Sequence, residues 1–400
     1  MAVPQAAPRA VTQPGQREAL HTYGALPEAE EAWRRLELEG AALDVGSSYD
    51  TFAVWVRHLM SSAPLRLLAA RGGAGDAVLM PLLEEPFRRL GLSLRLLRTP
   101  YDAHWRCAQP VVGDRGAEAV EGLLRQLGGS RDWDLLEAGP VLIDSGPGAA
   151  LLDAGQRLGL RPWVNRVPVA YCDTSQTWDA FNASRSANLR ANVGKAERRL
   201  AKQMGEVRLA EYRGGPDLEE RLQRFYQLEA SGWKGEAGSA IHCEPEVEAF
   251  YTDLARVSAE RGWFRLYELF AGDECVGGAY CLAYRGTVFG WKQGIRDDLS
   301  RYSLGQILCR HLIQVLCEDP STHTFDFVSG AEQHQGYKLR WATGTRDYAF
   351  LRLFNPKSPS ALAVRAALSL QDGFGALRGR LRRALPSRKA PPKGSGESAE

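Results

Sequence analysis

The runs TVFGWKQ (287–293), YSLGQIL (302–308) and FDFVSG (325–330) follow one another as strand, helix start and strand. Aromatic and β-branched residues dominate the first and third runs, and Leu304, Ile307, Leu308, Leu312 and Val315 recur at the spacing of one buried helix face. A loop that leaves a strand and ends in a helix N-terminus presents backbone amides beside a sheet, a place suited to a phosphorylated ligand. Ser303 with Gln306 three residues later has the pattern of a capping box. Gly305 then falls in the first turn, where a missing side chain admits an anion. Arg296 and Arg301 precede the helix and can add charge-assisted hydrogen bonds.

Outward from this core, two more strand-like runs, Phe264 to Phe270 and Cys275 to Tyr284, are separated by AGDE (271–274), and a helical run from Leu218 to Leu228 comes before them. The first half of the chain has the same grammar. Asp50 is expected to cap a helix with Phe52, Trp55, Val56 and Leu59 at core spacing. Leu65 to Ala70 and Ala77 to Leu83 flank RGGAGD (71–76), which reads as a hairpin turn between strands and not as a phosphate loop. A helix from Ala117 to Leu127 then leads into WDLLE (133–137). The parallel points to a duplicated unit, and the fold expected is mixed α/β (α+β).

Between the halves, residues 184–204 predict a helix whose apolar stripe is Leu189, Val193, Ala196, Leu200 and Met204. Lys195, Arg198, Arg199 and Lys202 fill its other side, either as a solvated face or as a basic wall for an anionic ligand.

Composition bounds the function. Lys plus Arg number 50 against 48 Asp plus Glu, so no overall field favours nucleic acid. Seven Cys form no Cys-x-x-Cys pair, which suits reduced thiols in a cytoplasmic protein. No apolar run is long enough to span a membrane, and the first residues lack the charged and apolar pattern of a secretory signal. The basic tail around Arg378 to Lys393, with Val364, Leu368, Phe374, Leu377 and Leu381 upstream, is either a solvated tail or a weak contact for an anionic membrane. No His or Cys pair has metal-ligand spacing, and no metal is expected.

RSANLR (185–190) running into KAERRL (195–200), then EASGWKG (229–235), the Ser303 helix, Asp326, Gly330, Tyr337, Lys338 and Trp341, in that order, resembles the CelD-type branch of the GNAT acyltransferases. That branch is associated with cellulose and exopolysaccharide biosynthesis, and it is similar overall to the FemABX transferases. The resemblance covers roughly residues 45 to 355. It implies two tandem GNAT-like domains, each a central mixed sheet flanked by helices, the second of which binds acyl-CoA. The corresponding division is a leader over 1–27, a degenerate domain over 28–160, a transferase domain over 161–357 and a basic helical or disordered tail over 358–400. Leu304 stands where the family usually has Pro before the helix glycine, which removes some pre-organisation but not the amide site.

The function expected from the resemblance is N-acyl transfer, with acetyl the expected group, from acetyl-CoA or another acyl-CoA to an amine on a small molecule or saccharide. No local Ser-His-Asp or Cys-His pattern is present, which favours direct attack on the thioester. Glu229 and Asp326 are the candidates for taking the amine proton or orienting the amine; the competing reading for each is a capping or ion-pairing carboxylate. Arg301, Ser303, Leu304, Gly305 and Gln306 are the expected cofactor site. Trp233, Lys234, Lys338 and Trp341 pair aromatic with cationic residues as a sugar or anion site, or else pack two loops together. A FemABX-like donor, aminoacyl-tRNA, and a non-catalytic scaffold are the competing readings.

Overall fold

The computed structural model describes residues 20–40, 44–60, 63–72, 75–105, 109–231, 238, 240–330 and 338–370. The first half runs β1 (Leu20–Tyr23), α1 (Glu30–Glu39), α2 (Tyr49–His58), β2 (Leu65–Gly72), β3 (Gly75–Arg89), β4 (Leu92–Arg98), β5 (Val111–Val112), α3 (Gly116–Gly129), β6 (Leu135–Leu142), α4 (Gly146–Arg157) and β7 (Trp163–Asp173). After α5 (Trp178–Ala183) and α6 (Ala187–Met204), the second half runs β8 (Val207–Tyr212), α7 (Leu218–Ala230), α8 (Pro245–Glu260), β9 (Phe264–Ala271), β10 (Glu274–Tyr284), β11 (Thr287–Ile295), α9 (Leu304–Glu318), β12 (Thr324–Gly330), α10 (Lys338–Trp341) and β13 (Gly344–Phe354).

The duplication is visible element by element: strand, two helices, a three-stranded antiparallel meander, a helix, and a strand parallel to the last strand of the meander. In each half the second meander hairpin closes with a two-residue turn at positive φ, Leu90-Gly91 in one and Arg285-Gly286 in the other. That is the turn whose twist matches paired strands. The turn expected around Gly72 and Gly75 is also a hairpin, with those two residues paired across β2 and β3.

Among the described residues, thirteen strands make one sheet in the order β1-β2-β3-β4-β6-β13-β7-β12-β11-β10-β9-β8, with β5 added on β3. The two halves are interleaved at its centre. β13, the last strand, pairs with β6 on one side and with β7 on the other, and β7 also pairs with β12. An aromatic core spans both halves, with Trp33, Phe52, Trp55 and Trp105 joined to Phe225, Phe250, Tyr280 and Trp291.

One capping expectation changes here, and one helix start is sharpened. Ser48, not Asp50, caps α2, its hydroxyl accepting from the Thr51 N–H, because Asp50 is the helix's second residue and pairs with Arg34 and Arg261. α6 starts at Ser186, whose Oγ accepts from the Leu189 N–H; Leu189, Val193 and Leu200 are buried, while Lys195, Arg198, Arg199 and Lys202 are exposed. A helix over residues 359–370 follows β13 and buries Val364 and Leu368 against Leu96 and Phe354. Of the expected leader, residues 1–19 lie outside the described residues, while Leu20–Tyr23 form β1 against β2; the tail from 371 onward lies outside them as well.

Candidate active site

β11 and β12 pair in parallel at only three positions, Thr287 with Thr324, Val288 with Phe325 and Phe289 with Asp326. Beyond these the two strands part. Trp291 is an extra residue in β11, a bulge opposite the Tyr280-Cys281 step, and Val328 in β12 takes φ of 60°. Bulges of this kind re-aim side chains beside functional sites. A cavity of about 670 Å³ fills the opening.

The cavity reaches both faces of the sheet. On the α9 face it is walled by Cys309, Leu312, Phe325 and Phe327, with Ser303, Leu304, Gly305 and Gln306 at its polar end and Lys338 beside them. On the other face it is walled by Leu228 and Glu229 at the end of α7, by Trp291 and Lys292 at the bulge, and by His104 and Trp105 from the loop after β4.

The α9 terminus is built differently from the expected capping box. Ser303 adopts a left-handed conformation, φ 55° and ψ 45°, and its hydroxyl caps nothing. Its carbonyl instead accepts from the Gln306 and Ile307 N–H groups. The amides of Leu304 and Gly305, which α-helical geometry leaves without a partner inside the helix, belong to residues that line the cavity. Gln306 does not reach back to the cap, because its Oε1 accepts from Trp341 Nε1 at 2.7 Å.

The expected site residues separate into groups. Ser303, Leu304, Gly305, Gln306, Glu229 and Lys338 come together around one cavity. Glu229 is 2% exposed, and its Oε2 accepts from the Ile241 N–H at 3.0 Å. Lys338 Nζ lies 5.8 Å from the Phe327 ring centre. Asp326 does not line the cavity. Strand alternation gives the cavity Phe325 and Phe327 and turns the carboxylate between them the other way, where it accepts from the Val328 N–H at 2.7 Å and lies 3.8 Å from Arg346. Trp341 is 1% exposed and packs behind the cavity wall. Arg301 is exposed and off the lining, stacked 4.9 Å from the Tyr302 ring centre, with Arg199 at 5.6 Å from the same ring. Trp233 and Lys234 lie outside the described residues.

The residues missed from sequence are His104, Trp105, Trp291 and Lys292. The duplication held a signal for the first pair: the loop after β4 is the counterpart of the segment after β11 that leads to Ser303. Asp102 fixes that loop, its Oδ1 accepting from the N–H groups of His104 and Trp105 and its Oδ2 from Trp55 Nε1. The His104 carbonyl accepts from Trp291 Nε1 at 2.9 Å, joining the loop to the bulge. Burial, followed by the nearby Lys292 ammonium, holds the His104 imidazole below its ordinary pKa, against the opposing pull of Asp102, Glu244 and Glu229.

Residues 187–339, from the start of α6 into α10, match the family described as acetyltransferase (GNAT) domain. That stretch, under half of the chain, is similar to a GNAT acetyltransferase domain. No curated protein matches it. Among solved structures, that of FemX is similar with a TM-score of 0.52 and 11% identity, over 84% of this chain and 98% of that one. L-PGS from Bacillus licheniformis gives 0.50 and 11%, over 89% and 98%. A conserved protein of unknown function from Bacteroides thetaiotaomicron gives 0.53 and 9%, over 84% and 100%. At such identities the likeness is one of fold. Among the described residues no helix is long and apolar enough to cross a membrane.

Proposed function

We propose that this protein is an N-acyltransferase that moves an acyl group, most simply acetyl, from acyl-CoA to a primary amine by direct attack. The observation that carries the reading is the cavity that passes through the sheet between β11 and β12, with a helix N-terminus on one face and a buried carboxylate on the other. The donor enters from the α9 face, its pyrophosphate against the amides of Leu304 and Gly305 and its thioester reaching the opening between the strands. From Gly290 onward the edge of β11 faces the cavity and not β12, so backbone donors flank the carbon at which oxyanion charge develops. The acceptor enters from the α7 face, where Glu229 attracts its ammonium and Trp105 and Trp291 supply apolar surface. The CelD-type resemblance makes an amine-bearing saccharide the first acceptor to test, and the donor implies a cytoplasmic site of action.

The test is calorimetric. Gly305→Glu sets a side chain and a negative charge against the phosphates, and acetyl-CoA affinity is expected to fall at least tenfold in the folded variant. Unchanged affinity moves the donor elsewhere.

A second reading, an aminoacyl-tRNA donor, rests on the exposed cations of α6, where Lys195, Arg198 and Lys202 accompany Arg199 toward Tyr302. It predicts binding of charged tRNA that weakens steeply with salt, together with no binding of acetyl-CoA.

A further inference from the structure

Within the proposed acyl transfer, the role of the first half is not limited to shaping a wall. His104 comes from the loop after β4, yet it lines the cavity of the second half. Its position is fixed from three directions. The Asp102 carboxylate holds the backbone on either side of it, Trp291 Nε1 donates to its carbonyl, and the Tyr251 ring stands edge-on to the imidazole with centres 6.0 Å apart. Such a placement leaves the imidazole little freedom.

Among the described residues the ring nitrogen Nδ1 is buried and has no hydrogen-bond partner. A buried polar atom in that condition has lost its hydration without a replacement, and it asks for an explanation. An amine N–H arriving beside Glu229 would be the missing partner, because both residues line the same face of the cavity.

We infer that His104 takes the proton of the acceptor amine, so that the first half supplies a catalytic residue to the second. Glu229 then has the separate task of holding the ammonium. One proton passes from the ammonium to Nδ1, and the freed lone pair forms the C–N bond at the acyl carbon. The C–S bond breaks as the tetrahedral intermediate collapses, the second amine proton leaves on the CoA thiol, and His104 returns its proton to water.

The electrostatics agree with a base that is neutral near pH 7. Lys292 on β11 opposes protonation, while Asp102 on the same loop, Glu229 on α7 and Glu244 before α8 favour it; burial outweighs the carboxylates and the net shift is downward. A His with a depressed pKa is available as an acceptor over the whole neutral range.

Two measurements on the full chain test the inference. Ring nitrogen NMR is expected to show His104 neutral at pH 7 with Nδ1 unprotonated; an imidazolium there, or a proton on Nδ1, overturns the assignment. This readout needs no donor. The second probe is bromoacetyl-CoA, an alkylating analogue of acetyl-CoA. It is expected to label His104, found by peptide mass spectrometry, because the acyl carbon must lie beside the base. Cys309 also lines the cavity, but burial pushes its thiol up to about 12 and keeps it a poor competitor. The label is expected to disappear in both His104→Asn and His104→Gln while acetyl-CoA affinity stays within twofold. Labelling of another residue with His104 untouched, in protein that binds acetyl-CoA normally, overturns the inference alone. Failure of the parent protein to bind acetyl-CoA removes the donor reading instead.

Discussion

The indole Nε1 of Trp341 donates to Oε1 of Gln306 over 2.7 Å, tying α10 to the first turn of α9. The Trp341 carbonyl in turn accepts from the Arg185 guanidinium at 2.9 Å, so one buried residue joins the segment before α6, α10 and the helix N-terminus proposed to hold the donor. Trp341→Phe keeps most of the apolar contact and deletes the donated bond. It is expected to lose about 1 to 2 kcal/mol of stability in denaturant unfolding, with a several-fold loss of acetyl-CoA affinity by calorimetry. A loss of stability with unchanged affinity would make the bond a matter of packing only.

Gly294 allows α7 to end where it does. A Cβ built on it would lie 2.5 Å from the Glu229 nitrogen and 2.8 Å from its Cα, and backbone atoms cannot swing aside as a side chain can. Gly294→Ala is expected to displace the end of α7, costing about 1 to 3 kcal/mol and lowering acceptor turnover far more than donor affinity. Turnover equal to the parent's would show that the site tolerates a shifted Glu229.

The sequence carried the parts of this fold that are written in local periodicity. The α6 stripe of Leu189, Val193 and Leu200, the hairpin at Gly72 and Gly75, and the order strand, helix, strand around Ser303 are all of that kind. The insertion of β13 between β6 and β7 is not, because it pairs Tyr348 with Leu142 and Arg346 with Val169 across some 200 residues of chain that no window spans. The left-handed Ser303 belongs to the same class: the turn Asp297–Tyr302 and the burial of Tyr302 set its backbone, and a capping pattern does not record them. Asp326 was legible in part. Phe-Asp-Phe has the period of a strand, which commits the carboxylate and the two rings to opposite faces, but which of these side chains the cavity reaches depends on where β12 leaves β11. His104 sits in a loop with no period at all, and only the packing of one half on the other brings it to the site.

Glu37 makes the contact between halves sensitive to pH. Its Oε2 accepts from the Tyr49 N–H at 3.2 Å and its Oε1 from the Tyr284 hydroxyl of the second half at 3.3 Å. Burial raises its carboxyl from 4.5 to about 7. A folded pKa above the unfolded one means that the native state binds more protons between those values, so this group's contribution to stability falls as pH rises from 4.5 to 7 and is level above. Glu37→Gln removes the titration, its amide oxygen can still accept from the Tyr49 N–H, and its amide nitrogen can donate to the Tyr284 oxygen. Relative to the parent, the variant is expected to gain on the order of 2 kcal/mol on going from pH 5 to pH 8, read from denaturant midpoints at the two values. A difference that does not change with pH would place the Glu37 pKa near its ordinary value.

Glu229 and Asp326 are both buried carboxylates, and their amide variants are expected to fail in different ways. Glu229 lines the cavity, and Glu229→Gln keeps an acceptor for the Ile241 N–H while removing the charge proposed to hold the ammonium. KM for the amine should rise at least tenfold, with kcat and acetyl-CoA affinity within about twofold, the pattern of lost ground-state binding. Asp326 is fully buried, bonded to the Val328 N–H and facing Arg346. Asp326→Asn should cost about 2 kcal/mol of stability by weakening that arrangement, while turnover per folded molecule stays close to the parent's. A Glu229→Gln variant with kcat down about a hundredfold and KM unchanged would make that carboxylate the base itself and would take the proton from His104. A collapse of kcat in folded Asp326→Asn would return the chemistry to β12.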